Sequence, residues 1–180
     1  MRLLEHRRHS LRRPGDPHLS PEGLARAHAL ASTVGPFDRV VSSTATRSVE
    51  TARALAGRVD ETLDELRQVP DAVNERLERR PLTSFREFAH QIEEEAVVAA
   101  FARAQSTLWR RLLLGVPDGG RLLLVSHAAV IELGAIGALP SEAGTWGPAV
   151  APLEGVQLVL KDGRWAEGRA LRGTGPAPRS

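Results

Sequence analysis

Leu3-Leu4-Glu5-His6-Arg7-Arg8-His9-Ser10 opens as a short apolar run, turns abruptly cationic, and passes into Leu11-Arg12-Arg13-Pro14-Gly15. It reads as a strand over Leu3–Arg7 whose carboxyl end presents Arg8 and His9 to an anion. Pro14-Gly15-Asp16-Pro17 then marks a loop over Arg12–His18. Successive strand side chains point to opposite faces, so His6 faces away from Arg7 and is read as structural.

Composition narrows the choice of anion. The 180 residues are 42% apolar, enough for one domain with a buried core. No run approaches the roughly 18 apolar residues of a membrane helix, and the charged start does not read as a signal peptide. No membrane partner is expected, and the expected location is cytoplasmic. The absence of cysteine excludes disulfides, thiol nucleophiles and thiolate metal sites. The pI of about 10.2 overstates the basic character, because the net charge is only +2. Lys161 is the single Lys among 24 basic residues and there is no Tyr, so little titrates between His and Arg, and a small Arg excess drags the pI upward. A local basic excess exists only in the first 20 residues, where Arg2, Arg7, Arg8, Arg12 and Arg13 face Glu5 and Asp16. No nucleic-acid partner is expected.

Beyond the first loop, Ser20-Pro21-Glu22 is a helix start: a capping hydroxyl, a proline at the first helical position and an acid in the first turn. Leu24, Ala27, Leu30, Ala31 and Val34 give its apolar stripe, and Gly35-Pro36 ends it. Asp38–Ser42 reads as a second strand. A helix follows over Ala45–Gly57, with Ser43 or Thr44 as cap and Ala45, Val49, Ala52 and Ala56 on one face. Asp60–Leu66 reads as an edge strand or loop. Gln68–His90 supports no single period and reads as an inserted loop or short helical excursion, a candidate lid. Ile92–Leu114 reads as one amphipathic helix with Val97, Phe101, Ala104, Leu108 and Leu112 inward, its start complemented by solvated Glu93-Glu94-Glu95. Arg121–Ser126 has the continuous apolar character of a doubly buried strand, and His127–Gly137 that of a helix. Gln157–Glu167 forms a hairpin around Asp162-Gly163. The fold class is α/β, a three-layer α/β/α sandwich with a mostly parallel sheet, in one domain over residues 1–172, followed by a flexible tail over 173–180.

Three strand ends carry residues suited to a phosphoryl group: Arg8-His9, then Ser42-Ser43 with Arg47 in the next helical turn, then Ser126-His127. In open parallel sheets ligands bind beyond the carboxyl ends of the strands, beside helix N-termini. The arginine fork matches phosphate oxygens, and a phosphate monoester brings about −1.5 to −2 charges to be met. No Gly-x-Ser-x-Gly elbow surrounds Ser126, no His-Glu-x-x-His ligand spacing occurs, and there is no glycine-rich nucleotide loop. Neither metal nor cofactor is expected. Trp109, Trp146 and Trp165 read as packing or pocket walls, and His28 and His90 as surface residues.

These motifs resemble the histidine phosphatase superfamily, the phosphoglycerate mutase-like fold. Arg8-His9-Ser10 matches its Arg-His-Gly signature with Ser in place of Gly. Leu19–Ala25 matches the short helix that follows. Ser42-Ser43, Arg47 and Thr51-Ala52 match a second signature, and Leu124–Val130 the late His with its small followers. The resemblance implies a phosphatase of the small phosphohistidine or phosphomonoester branch, in which His9 attacks phosphorus and Arg8, Arg47 and His127 hold the phosphoryl oxygens. Ser10 and Arg12 are added as phosphate contacts. It also implies a general acid after the third strand, with Glu65 the choice and Asp64 and Glu75 the rivals. No counterpart of the mutases' Asn lies near Gly15, which favours a phosphatase over a phosphomutase. A catalytically silent phospho-ligand binder is the reading outside enzymology. The implied partner is a phosphorylated small molecule or a phosphoprotein.

Overall fold

The structure is a computed structural model and describes residues 1–173. Six strands form one sheet: β1 (Arg2–Arg8), β2 (Arg39–Ser43), β3 (Glu61–Leu63), β4 (Arg121–Ser126), β5 (Gly155–Lys161) and β6 (Arg164–Leu171), in the order β3-β2-β4-β1-β5-β6. The strands β3, β2, β4 and β1 run parallel, and β5 and β6 add an antiparallel hairpin on the other side of β1. The helices are α1 (Pro21–Ala31), α2 (Thr46–Ala56), α3 (Asp71–Leu77), α4 (Phe85–Glu94), α5 (Ala96–Leu114) and α6 (Val130–Ala138). One sheet face packs Val40, Leu123 and Val125 against Ala52 and Leu55 of α2, with Leu30 of α1 beside them. The other packs Leu4, Leu122, Leu124 and Leu158 against residues of α3 to α6. This is the expected α/β/α sandwich. The tail prediction falls, apart from Gly173, outside the described residues.

The polar start of β1 is buried, and its side chains find partners. Glu5 and Arg7 share a face and pair at 2.5 Å, while Arg7 Nη1 donates to the Leu153 carbonyl at 2.7 Å. On the opposite face, as the strand alternation requires, His6 Nε2 shares a 2.6 Å hydrogen bond with Ser126 Oγ, and its ring meets Trp109 edge-on at 4.5 Å. Burial, and next the charge of His127, drive His6 down to about 3, so it is neutral at ordinary pH.

Several local expectations shift. Ser20 caps α1 through Gly23 N–H, but Leu24 is 42% exposed, because α1 turns Gly23 and Ala27 toward the core. Neither Ser43 nor Thr44 caps α2: its N-cap is Ala45, with no side-chain bond. Residues 68–90 hold two helices, α3 and most of α4, joined by a short loop. Val73 and Leu77 of α3 and Phe85 and Phe88 of α4 are buried in the main core. A capping box of Ser84 and Glu87 starts α4, a signal present in Ser84-Phe85-Arg86-Glu87 and hidden by the mixed periodicity around it. The expected helix from Ile92 to Leu114 is instead two, broken at Glu95, which is extended at φ −124. Glu94 and Glu95 are held there by Arg80, Arg79 and Arg76, so the acidic triplet lies at a helix end rather than complementing a helix start. With that break the inward face of α5 moves to Val98, Ala102, Gln105, Leu108, Trp109 and Leu112, and Val97 is exposed. The last helix begins at Val130, not His127.

Candidate active site

Strand register brings the three junctions together. Arg8 pairs with Ser126 and Ser42 with Val125, so β1, β4 and β2 end at one edge, and His9 N–H extends the ladder to the Ser126 carbonyl at 2.9 Å. Beyond that edge the His9 and His127 rings meet edge to face, inclined at 62° with centroids 5.1 Å apart. Arg47, in the first turn of α2, reaches between them: Nε donates to His9 Nε2 at 3.1 Å and Nη2 lies 3.3 Å from His127 Nδ1.

The ring tautomers follow from the partners. His9 Nδ1 lies 2.7 Å from the Ser10 carbonyl, which can only accept, so Nδ1 carries the proton and Nε2 the lone pair that accepts from Arg47 Nε. Arg47 can only donate, so His127 Nδ1 is the acceptor and its Nε2 donates to Ser43 Oγ at 3.0 Å. Burial depresses His9 to about 4, against the Ser10 bond that favours its cation and with the charges of Arg47, Arg8 and Arg12. Burial likewise brings His127 to about 3, helped by His9, Arg47, Arg8 and Arg67. Both rings are therefore neutral near pH 7, while the surrounding guanidiniums supply positive charge. This arrangement can accept a dianionic group and offer it an unprotonated imidazole nitrogen.

Residues that lend nothing directly to that pocket hold it in place. Thr51 Oγ1 accepts from Ser10 N–H at 3.0 Å and donates to the Arg47 carbonyl at 2.7 Å, tying the histidine loop to α2. Arg8 Nη1 donates to the Val150 carbonyl at 2.8 Å. Gly23 is needed where α1 crosses this loop, because a Cβ there would sit 2.1 Å from the Leu11 carbonyl oxygen.

The expected site residues divide as follows. His9, Arg47 and His127 meet, while Arg8, whose Nη1 is bonded to the Val150 carbonyl, acts on both rings through its charge. Ser10 does not turn its hydroxyl to the pocket: it is fully buried and Oγ donates to the Gly23 carbonyl at 2.7 Å. Arg12 is exposed, its Nη1 3.4 Å from the Arg13 and Asp16 carbonyls, and its charge acts on His9 and Arg47. Asp64 and Glu65 lie on the single turn after β3. Asp64 accepts from Thr44 Oγ1 at 2.5 Å, and the Glu65 carbonyl is held by Gln105 Nε2 at 2.8 Å. The exposed Glu65 carboxylate makes no hydrogen bond or ion pair among the described residues; Glu75 is exposed on α3. Arg67 and Glu132 belong to the neighbourhood and carry no sequence signal that singles them out. Among the described residues no group of three His, Asp or Glu could hold a metal, and no helix is long and apolar enough to cross a membrane.

The sequence profile of the histidine phosphatase superfamily, branch 1, matches residues 4–169. The chain belongs to the histidine phosphatase superfamily. Among curated proteins no sequence match was found. Solved structures share the fold at low identity. A phosphoserine phosphatase of Entamoeba histolytica, in complex with 3-phosphoglyceric acid, superposes with a TM-score of 0.68 at 19% identity, over 92% of this chain and 94% of that one. A phosphoglycerate mutase of Bacillus anthracis gives 0.66 at 16%, over 91% and 90%. A mycobacterial glucosyl-3-phosphoglycerate phosphatase gives 0.63 at 20%, over 92% and 96%. Within this superfamily the chain departs at Ser10, where the signature has Gly. The departure is accommodated because the Ser10 side chain turns toward α1 and away from the two imidazoles.

Proposed function

We propose that this histidine phosphatase superfamily member is a metal-independent phosphatase that hydrolyses a phosphomonoester through a phosphohistidine on His9. The observation that carries the reading is the Ser10 carbonyl on His9 Nδ1, which leaves Nε2 unprotonated where Arg47 Nε reaches it, so that an entering phosphoryl group can take over the Arg47 N–H and meet the Nε2 lone pair. In the first step the Nε2 lone pair forms a bond to phosphorus as the bond to the leaving oxygen breaks. Arg8 and Arg47 hold the nonbridging oxygens, and His127, protonated at Nδ1 once the dianion is bound, donates to a third. The leaving oxygen takes a proton from Glu65. Asp64 is engaged with Thr44, whereas the Glu65 carboxyl is free. In the second step the Glu65 carboxylate takes a proton from water as the water oxygen bonds to phosphorus and the bond from phosphorus to Nε2 breaks, which releases inorganic phosphate and restores both Glu65 and the His9 lone pair. Exposed Arg12 adds to the attraction for an acidic substrate. A phosphorylated small molecule is the favoured substrate class, because the phosphatases of similar fold are named for phosphoserine and glucosyl-3-phosphoglycerate.

The test is a rapid quench of the protein with an aryl phosphate. An acid-labile, base-stable phosphoryl adduct that vanishes in His9→Ala, together with release of inorganic phosphate, is expected. Turnover with no His9-dependent adduct overturns the mechanism. Tight phosphate binding without turnover indicates a silent binder, and transfer of the label to an added alcohol in place of water indicates a phosphomutase.

A further inference from the structure

Glu132 lies in the first turn of α6, three residues past the loop that carries His127, and is completely buried. A carboxyl there is costly unless it does something, since polar groups leave water at a loss. Glu132 Oε1 accepts the Val150 N–H at 2.8 Å, and Arg8 Nη1 donates to the Val150 carbonyl at 2.8 Å. The backbone of one residue is thus gripped from one side by Glu132 and from the other by Arg8. Two further buried atoms at this place, Glu132 Oε2 and Arg8 Nε, have no hydrogen-bond partner among the described residues. The two groups also sense each other's charge: burial pushes Glu132 up and Arg8 down, and each opposes the shift of the other.

We infer that Glu132 is a positioning residue for the Arg8 guanidinium: by fixing the Val150 main chain and placing a carboxyl behind the arginine, it holds Arg8 aimed at the bound phosphoryl group. This rests on the reading of the site as a phosphoryl site. It also explains why a carboxyl occupies a helix whose other inward residues, Val130, Ile131 and Leu133, are apolar. The carboxyl links α6, the segment before β5 and the end of β1, three pieces of chain that must agree for Arg8 and His127 to address the same ligand.

The experiment is inorganic phosphate binding by calorimetry, alongside kcat and KM for an aryl phosphate. It uses Glu132→Gln, which keeps an acceptor for Val150 and cannot ionise, and Glu132→Met, which has neither the acceptor nor the acid. Phosphate affinity is expected to fall about tenfold in the Met variant and less in Gln, with the loss mainly in KM. In an Arg8→Ala background neither change should cost anything further, a non-additivity that a merely structural role does not produce. Equal losses in both backgrounds, or unchanged phosphate affinity in both single variants, overturn the inference alone. Failure of the wild-type protein to bind phosphate overturns both the inference and the proposed function. If the Met variant does not fold, as thermal unfolding will report, the nearly isosteric Gln variant carries the same comparison.

Discussion

Arg47 Nε lies 3.1 Å from His9 Nε2, the ring nitrogen that Ser10 leaves free, and the same guanidinium reaches His127 Nδ1 at 3.3 Å. One side chain therefore marks where the phosphoryl oxygens of a ligand would lie between the two imidazoles. Because such a donor acts most strongly on charge that develops in the transition state, Arg47→Ala is expected to lower kcat by roughly 10²-fold or more. Steady-state kinetics on an aryl phosphate checks this, and a rate equal to wild type removes Arg47 from the mechanism.

The three buried histidines set a pH signature. His6, His9 and His127 lie near 3, 4 and 3, below the ordinary value of 6.5. The unfolded chain binds more protons than the folded one between those limits, so stability is fully present above about pH 6.5 and declines as pH falls toward 4 and 3. Imidazole nitrogen shifts should show all three rings neutral from pH 5.5 to 8. A titration of any of them near 6.5 contradicts the burial argument.

For the proton donor, the leaving group is the discriminating variable. Nitrophenolate departs without help, whereas an alkoxide requires protonation. Glu65→Gln should slow alkyl phosphates by about 10² to 10⁴-fold and nitrophenyl phosphate much less. The same selective loss in Asp64→Asn, with Glu65→Gln unaffected, reassigns the acid to its neighbour.

The turn after His127 stores strain. Ala129 sits at φ 62 and ψ −47, and Val130 N–H bonds back to the Ala128 carbonyl at 2.8 Å, the geometry of a strained γ-turn. Glycine adopts that region without the Cβ cost, so Ala129→Gly should raise stability by about 0.5–1 kcal/mol. The melting temperature reads the outcome, and a fall shows that the Cβ contributes more than the strain costs.

Close packing beneath the histidine loop predicts the opposite sign at Gly23. Its missing Cβ would lie 2.1 Å from backbone oxygen, which has no rotamer with which to yield. Gly23→Ala should destabilise by about 1–3 kcal/mol in thermal or urea unfolding. Ser10→Ala removes a buried hydrogen bond at the same crossing and should cost about 1 kcal/mol with activity largely retained.

Much of the architecture was readable because the chain's local signals agree with one another. Leu122-Leu123-Leu124-Val125 reads as a doubly buried strand, Ser20-Pro21-Glu22 as a helix start and Asp162-Gly163 as a hairpin turn; each is found in place. The meeting of His9, Arg47 and His127 was readable too, since each follows a strand end and parallel strands deliver their ends to one edge. Less legible were the inward face of α5 and the division at Glu95. A single helical period over Ile92–Leu114 ignores the ion pairs from α3 and the loop beyond it that hold Glu94 and Glu95; the stripe falls one residue out at Val97, Phe101 and Ala104 and is right at Leu108 and Leu112.

By itself the sequence determined the order of strands and helices outside residues 68–95, and the residue types at each junction, because backbone propensity and side-chain alternation act over a few residues. Only the tertiary structure decided which polar groups would be buried and against whom. Glu5 meets Arg7, Ser10 meets Gly23, and Glu132 meets Val150 behind Arg8. For the last two, a polar side chain is committed by a partner 13 or 18 residues away. No local pattern encodes a hydrogen bond whose two ends are brought together by packing.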